Sequence, residues 1–334
     1  MQNEIKTETA VFDESGFVKN PGWSRLPLFT FDKSLCKNRL SLCERDSYLI
    51  ANEEVSIYLS IADMGINSEV TAVVVDHVRG TIDARTLKKY MSFGRHDMPS
   101  SSKNGDVTFT DARVGMNFSN TALKRYIRCE FVNFCKDKNL YINVTLEDTI
   151  DESLNVLIPT KHNKRGFFLK RFMPSMSVSG VVRCGGAEYN LKAETTTAFL
   201  DWQRFSINDK AYYHALYADS VIDNRKFSLC LAGGLGDPAQ GSENCYFLDG
   251  VVHKFASVKA EGSEERPDKP WRFTAGSNAM EIVFRPEIKA GRLMSQKCGN
   301  KNIIFGKLYG NIKQIGTEKI TLDAVPAHLE FTLV

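Results

Sequence analysis

The sequence predicts an all-β protein built from antiparallel sandwiches or barrels, with few helices. Three observations carry that expectation. From Val55 almost to the end of the chain the hydrophobic period is two, the period of strands with a buried face. Roughly sixteen short runs of this kind are separated by turn residues about every 8–12 positions, the spacing of sandwich and barrel folds. Helix signals are nearly absent, and only Asp83–Met91 has the composition for two helical turns. A chain of 334 residues is long for one core, so two domains are expected. They divide near residue 185, giving 1–185 and 186–334.

Taken in order, residues 11–31 contain Pro21-Gly22 and Pro27, which break any helix. This is an extended segment laid over a surface, with Trp23 as its anchor. Val55–Ile61 alternates, and Thr71–Asp76 is a nearly solid apolar strand. Lys103-Asn104-Gly105-Asp106 turns into Val107–Thr110. Tyr126–Cys135 sets Ile127, Cys129 and Phe131 against Arg128 and Glu130. Leu140–Glu147 is the clearest strand, with Leu140, Ile142, Val144 and Leu146 on one face and polar residues on the other.

Residues 161–172 interleave basic and aromatic side chains, a pattern that can serve single-stranded nucleic acid. A hairpin with a charged turn at Lys161–Arg165 is the reading preferred here. Strands at Met176–Val182 and Ala187–Ala193 follow, and then a tyrosine-rich stretch, 201–226, that reads as irregular. Phe227–Leu231 is a strand leading into a glycine-rich loop. A second strand from Asn244, an Asp249-Gly250 hairpin and a returning strand with His253 complete this unit. A polar loop at 261–270 leads to strands at Trp271–Thr274, Ala279–Phe284, Asn302–Tyr309, Ile320–Asp323 and His328–Val334.

Composition narrows the function. Forty-three Lys and Arg against forty Asp and Glu leave a net charge of +3, with no long basic block. Charge therefore gives no support to nucleic-acid or anionic-membrane binding. The N-terminal residues lack the order of a signal peptide, and no run of about 18 apolar residues exists to form an integral membrane segment. Eight scattered cysteines without a C-x-x-C pair fit free thiols in a reducing cytoplasm. Six histidines show no metal-ligand spacing, so neither a metal nor another cofactor is expected.

Gly233-Gly234-x-Gly236 is followed by a strand and not by a helix, so the glycines suit a bulge or turn better than a phosphate loop. No G-x-S-x-G is present. The remaining candidates are Asp201, Arg204, Glu243, Asn244, Asp249 and His253, which sit beside Trp202, Tyr246 and Phe247. Charged residues so placed must be exposed or must pair as they are buried. One reading makes Asp201–Arg204 a structural ion pair and Asp249 a turn residue. The other is a ligand site, with Glu243 or His253 as acid/base and Asn244 as an orienting hydrogen-bonder.

These residues resemble the family catalogued as domain of unknown function 2804. The resemblance is carried by Gly22-Trp23-Ser24-Arg25-Leu26-Pro27, Leu200-Asp201-Trp202-Gln203-Arg204 and Gly234-Leu235-Gly236-Asp237. It continues through Ser242-Glu243-Asn244-Cys245-Tyr246-Phe247-Leu248-Asp249-Gly250, His253-Lys254-Phe255, Pro270-Trp271 and Phe305–Gly310. Gln203 and Phe205 stand where the family has glycines, Cys230 where it tends to have asparagine, and His328 at a carboxylate position. The family looks like a branch of the two-domain lipocalin-like proteins that include carotenoid hydratases, tocopherol cyclase and fungal Diels–Alderases. The resemblance implies two lipocalin-like domains and an apolar small-molecule pocket at their junction.

The function expected is therefore an intracellular protein that accommodates a lipid or isoprenoid-like molecule, with hydration, isomerisation or cyclisation as the candidate reactions. A carboxylic acid kept protonated by burial would protonate an alkene or enol in a dry cavity. Asp201, Glu243 and His253 are the expected catalytic residues. Trp202, Arg204, Asn244, Tyr246, Trp271 and His328 are the expected ligand contacts. Two other classes remain: a carrier without chemistry, and a glycan-binding sandwich using Trp202, Trp271 and the Glu243/Asn244 pair on an exposed platform.

Overall fold

A strand has two faces, and this chain buries both of them along much of its length. The computed structural model describes residues 2–333 apart from 38, 95, 122–123, 208–211 and 314–318. Among them are two large antiparallel sheets, each curled into a half-barrel. Helix is confined to the 3-10 turns Lys33–Leu35, Arg39–Ser41 and Gly276–Asn278.

The first sheet has thirteen strands. Its main path uses β1 (Leu42–Ala51), β2 (Val55–Asp63), β3 (Ser68–Asp76), β4 (Thr81–Lys89) and β5 (Gly105–Asp111). It continues with β6 (Val114–Asn120), β7 (Lys124–Cys135), β8 (Lys138–Glu147), β9 (Phe167–Cys184) and β10 (Thr197–Ser206). The spatial order is β4-β3-β2-β1-β10-β9-β8-β7-β6-β5, two meanders joined where β10 inserts between β1 and β9. A register shift between Met173 and Met176, with Ser175 at φ 60°, bends β9. One half of β9 therefore pairs with Leu154–Pro159 and the other half with β8.

The second sheet has ten strands and runs in the order β14-β13-β12-β11-β19-β18-β17-β16-β15. These are β11 (Tyr212–Ile222), β12 (Arg225–Gly233), β13 (Cys245–Leu248), β14 (Val251–Lys254) and β15 (Val258–Glu261). The rest are β16 (Trp271–Ala275), β17 (Met280–Pro286), β18 (Lys301–Ile312) and β19 (Ile320–Leu333). Ser295–Cys298 pairs with β18 off this path.

Three apolar clusters result. One fills the first half-barrel with Tyr48, Leu59, Phe118, Ile127 and Leu200, and another fills the second with Leu216, Leu229, Phe284 and Leu329. The third lies between the sheets and takes side chains from both, among them Phe168, Phe172, Phe199, Tyr217 and Phe305. The N-terminal segment stitches the two halves together. Trp23 is buried on a short strand paired to Leu154–Pro159, while Asn3 bonds to Gln240 and Arg25 to the carbonyl of Val252.

Two expectations need correction. Asp83–Met91 is not helical, because Thr81–Lys89 pairs along its length with the apolar strand β3. Ile82 and Ala84 pack toward the second sheet and Leu87 toward the first core, so strand pairing overrides helix propensity. The stretch 201–226 is not irregular; it holds the end of β10 and all of β11. Both faces of these strands are buried, which hides their alternation. Sheet membership changes between Ser206 and Tyr212: Ala187–Leu191 and Thr197–Ser206 are strands of the first sheet. The basic run 161–172 is a hairpin joining Leu154–Pro159 to β9.

Candidate functional site

Strand alternation decides which side chains meet between the sheets. On β10, Phe199, Asp201, Gln203 and Phe205 face the second sheet, while Leu200 and Trp202 enter the first core. On β11, Tyr213, Ala215, Tyr217 and Asp219 face back, while Leu216 and Ala218 enter the second core. On β9, Lys170 lies between Phe168 and Phe172 on the junction side.

These strands assemble a dry charged network. Lys170 Nζ donates to Glu243 Oε1 at 2.8 Å and to Tyr217 Oη at 2.8 Å, and lies 3.4 Å from Asp201 Oδ1. The Tyr213 hydroxyl donates to Glu243 Oε1 at 2.5 Å. The Tyr217 hydroxyl donates to Asp201 Oδ2 at 2.9 Å, and Gln203 Nε2 donates to the same oxygen at 2.6 Å. Lys170 is fully buried, and Asp201 and Glu243 are each 3% exposed. Burial by itself would discharge the ammonium, but the Asp201 and Glu243 carboxylates outweigh it and hold the Lys170 pKa well above its usual value. Burial and then Glu243 push Tyr213 up, and burial and then Asp201 do the same to Tyr217. Both phenols remain neutral donors.

Beside this network a cleft of about 470 Å³ opens at the junction. Tyr217 and His328 stand opposite each other on β11 and β19 and stack at 5.1 Å in its inner wall, with the Phe199 ring against both. His328 is fully buried. Its Nε2 lies 3.4 Å from Glu330 Oε1, and its Nδ1 has no hydrogen-bond partner among the described residues. Glu330 in turn pairs with Lys301 at 2.5 Å, and Lys301 reaches the Tyr58 hydroxyl at 3.1 Å. A second lobe of about 580 Å³ shares Ala51, Asn52, Glu53, Asp219, Ser220 and Pro326 with the first.

Asp219 lies at the divide between the lobes. Its carboxylate accepts from Ser175 N at 3.2 Å, from Ser175 Oγ at 3.1 Å and from Ser228 Oγ. Burial pushes its pKa up to about 6, against the pull of those hydrogen bonds. A carboxyl group that exchanges its proton near neutrality, at the wall of a cleft, is equipped for general acid–base work.

The expected site residues are dispersed. Asp201 and Glu243 meet at Lys170, but neither lines the cleft; both lie one side chain deeper, behind Tyr217. His253 is elsewhere, half-buried on β14 and stacked on Tyr246 at 4.7 Å, its pKa lowered by burial and by Arg25. Trp202 and Arg204 point away from Asp201 because one residue or three residues along a strand reverses the face. The Arg204 guanidinium covers the Trp202 ring at 4.1 Å and pairs with Asp46 at 2.8 Å and Glu44 at 3.3 Å, so the expected Asp201–Arg204 pair does not form.

Asn244 fastens a loop, accepting from Ala232 N at 3.0 Å. Tyr246 and Trp271 lie in the second core, Trp271 4.9 Å from Phe331. The two indoles are thus buried in different cores and form no exposed platform for a glycan. Asp249 is a turn residue at φ 49° paired with Arg225. Gly234, at φ 101°, passes so close to the Tyr212 carbonyl that a Cβ would meet it at 1.8 Å, which accounts for a glycine there.

Lys170, Tyr213, Tyr217 and Asp219 were not singled out from the sequence, although a signal was present. Phe168-x-Lys170-x-Phe172 puts a lysine in register with two phenylalanines, and Tyr213-x-Ala215-x-Tyr217-x-Asp219 is a strand face.

A family model described as "Domain of unknown function (DUF2804)" matches residues 2–332. No curated protein matches the sequence. Among solved structures, an AttH candidate protein from Nitrosomonas europaea superposes with a TM-score of 0.55 at 12% identity, over 87% of this chain and 92% of that one. Kievitone hydratase from Nectria haematococca superposes with a TM-score of 0.53 at 9% identity, over 99% of this chain and 97% of that one. At these identities the likeness shows a shared two-sheet fold.

Proposed function

The chain belongs to the DUF2804 family, and on that footing we propose that it binds a small, largely apolar molecule in the cleft between its sheets and moves a proton on it. Hydration, isomerisation or cyclisation of an alkene or enol is the reaction class that needs such a step. One observation carries this reading: a carboxyl group titrating near pH 6 stands in the cleft wall, two residues along the same strand face from Tyr217. Protonated Asp219 would give its proton to the alkene or enol carbon. Water or an internal nucleophile would then add to the cation, and the proton released would return to the carboxylate. That a protein of the same fold is named a hydratase supports this class of reaction.

Asp201, Glu243, Lys170 and Tyr213 are assigned the supporting role of holding the Tyr217 hydroxyl in place. Tyr217 and His328 are shielded from solvent, and Leu49 and Phe305 line the cleft beside them. This closure favours a second reading, a carrier that holds its molecule without changing it.

The test is to identify by mass spectrometry the small molecules carried by the purified protein, then to incubate them with it. Product formation that Asp219→Asn abolishes, with binding retained, supports catalysis. Unchanged ligand after long incubation leaves the carrier. Failure of Ser220→Trp, at a position that lines both lobes, to reduce binding places the ligand somewhere other than the cleft.

A further inference from the structure

The inner face of the first sheet buries three arginines and balances two of them. Arg204 has Asp46 and Glu44. Arg125 Nε reaches Asp148 Oδ1 at 3.3 Å, and its Nη1 donates to Asn120 Oδ1 and to the carbonyl of Ser102. Arg171 has only hydroxyls: its Nε donates to Ser153 Oγ at 3.3 Å and its Nη1 to Ser102 Oγ at 2.6 Å. No carboxylate among the described residues lies within ion-pair distance of it, although it is only 7% exposed. Burial and the neighbouring Arg125 push its pKa down to about 10, against the weaker pull of the Asp148 carboxylate, which lies beyond ion-pair distance. A guanidinium out of water with neither carboxylate nor phosphate is an incomplete arrangement, since buried charges are normally paired.

Arg171 faces a cavity of about 380 Å³ between β9 and the segment 148–152. Met173, Pro174 and Met176 form its apolar wall, and Thr149 also lines it. Three carboxylates border it as well. Asp148 is engaged with Arg125, and Glu152 with Arg25 and the Val252 amide, which leaves Asp151 exposed at the rim. Ser102 and Ser153 accept from Arg171 and fix its guanidinium, but do not themselves line the cavity. The cavity lies across β9 from the junction: Arg171 enters the first half-barrel, whereas Ser175, on the bulge, turns to Asp219.

We propose that this cavity is a binding site for an oxyanion headgroup, a carboxylate or a phosphate, seated on Arg171, with a short apolar portion against Met173, Pro174 and Met176. A planar guanidinium engages two oxygens of such a group at once, which sets it apart from a halide. The site is independent of the cleft and of any chemistry there.

The experiment is calorimetric titration of the full-length protein with inorganic phosphate and, separately, with octanoate, at ionic strength held constant by sodium chloride. Saturable binding of at least one of them, weakened about tenfold or more by Arg171→Gln and partly restored in Arg171→Lys, is the expected result. Tighter octanoate binding identifies a carboxylate with an apolar chain, and tighter phosphate binding identifies a phosphate headgroup. A second readout needs no ligand: in anion-free buffer Arg171→Gln is expected to be at least as stable as the wild type, because it removes an unbalanced charge and keeps an amide for the serines. Absence of saturable binding of both anions to the wild type, or wild-type affinity in Arg171→Gln, overturns the proposal.

Discussion

Acidic groups meet at the junction from both sheets, and they are held in two opposite ways. Asp201 and Glu243 share an ammonium, Lys170, and two phenol donors. Asp219 has three hydrogen bonds from serines and no cation within ion-pair distance among the described residues. The first arrangement joins β9 and β10 of the first sheet to β11 and the loop before β13 of the second, and lies behind the cleft wall. The second leaves a carboxyl group whose charge is opposed by burial and unmatched by a counterion, and it lines the cleft. A lysine between two acids makes a fastening, whereas hydroxyls around a lone acid make a group that can release and take up a proton. The difference separates what holds the halves together from what can act on a ligand.

Breaking the fastening has the largest expected effect. Lys170→Met leaves two carboxylates buried without their cation and is expected to cost about 3–5 kcal/mol in denaturant unfolding. Tyr217→Phe removes one hydroxyl from the network while the charges stay paired, and about 1–3 kcal/mol is expected. Asp219 behaves differently. Its folded pKa of about 6 lies above the ordinary carboxylate value near 4, so the folded state binds the proton more tightly than the unfolded chain. The contribution of Asp219 to stability is therefore expected to fall as pH rises from about 4 to about 6 and to level off above that. Asp219→Asn should lose this segment of the slope while staying folded, as thermal unfolding across that range would show. The smallest effect is expected at the surface: Arg225→Ala, which removes the partner of Asp249 on the half-exposed turn, should change stability by no more than about 1 kcal/mol.

The same contrast explains what the sequence made legible. Leu140–Glu147 has one apolar face and one polar face, and the structure pairs it residue for residue with β7 and β9. The all-β class and most outer strands follow from such patterns. The junction strands β10 and β11 have no solvent face, so aromatic and charged residues appear on both sides and the period of two is disguised. For that reason the tyrosine-rich stretch 201–226 reads as irregular, and Lys170 is hidden within the basic and aromatic run 161–172. Asp201 and Glu243 stood out because charge beside aromatic residues is conspicuous, but neighbours in sequence are not neighbours on a strand face. Asp201 and Trp202 belong to different layers, as do Asp201 and Arg204. Asp219, a single acid among small residues, became visible only once β11 brought it level with Tyr217.

Photolabelling of the purified protein with a neutral aryl diazirine, read out by peptide mass spectrometry, tests most directly whether the junction cleft is where small molecules bind. Modification is expected to concentrate on residues 49–56, 217–220 and 324–328, and to disappear in Ser220→Trp. Labels spread evenly over the surface, or concentrated away from the cleft lining and untouched by Ser220→Trp, would show that the space around Asp219 is not a binding site.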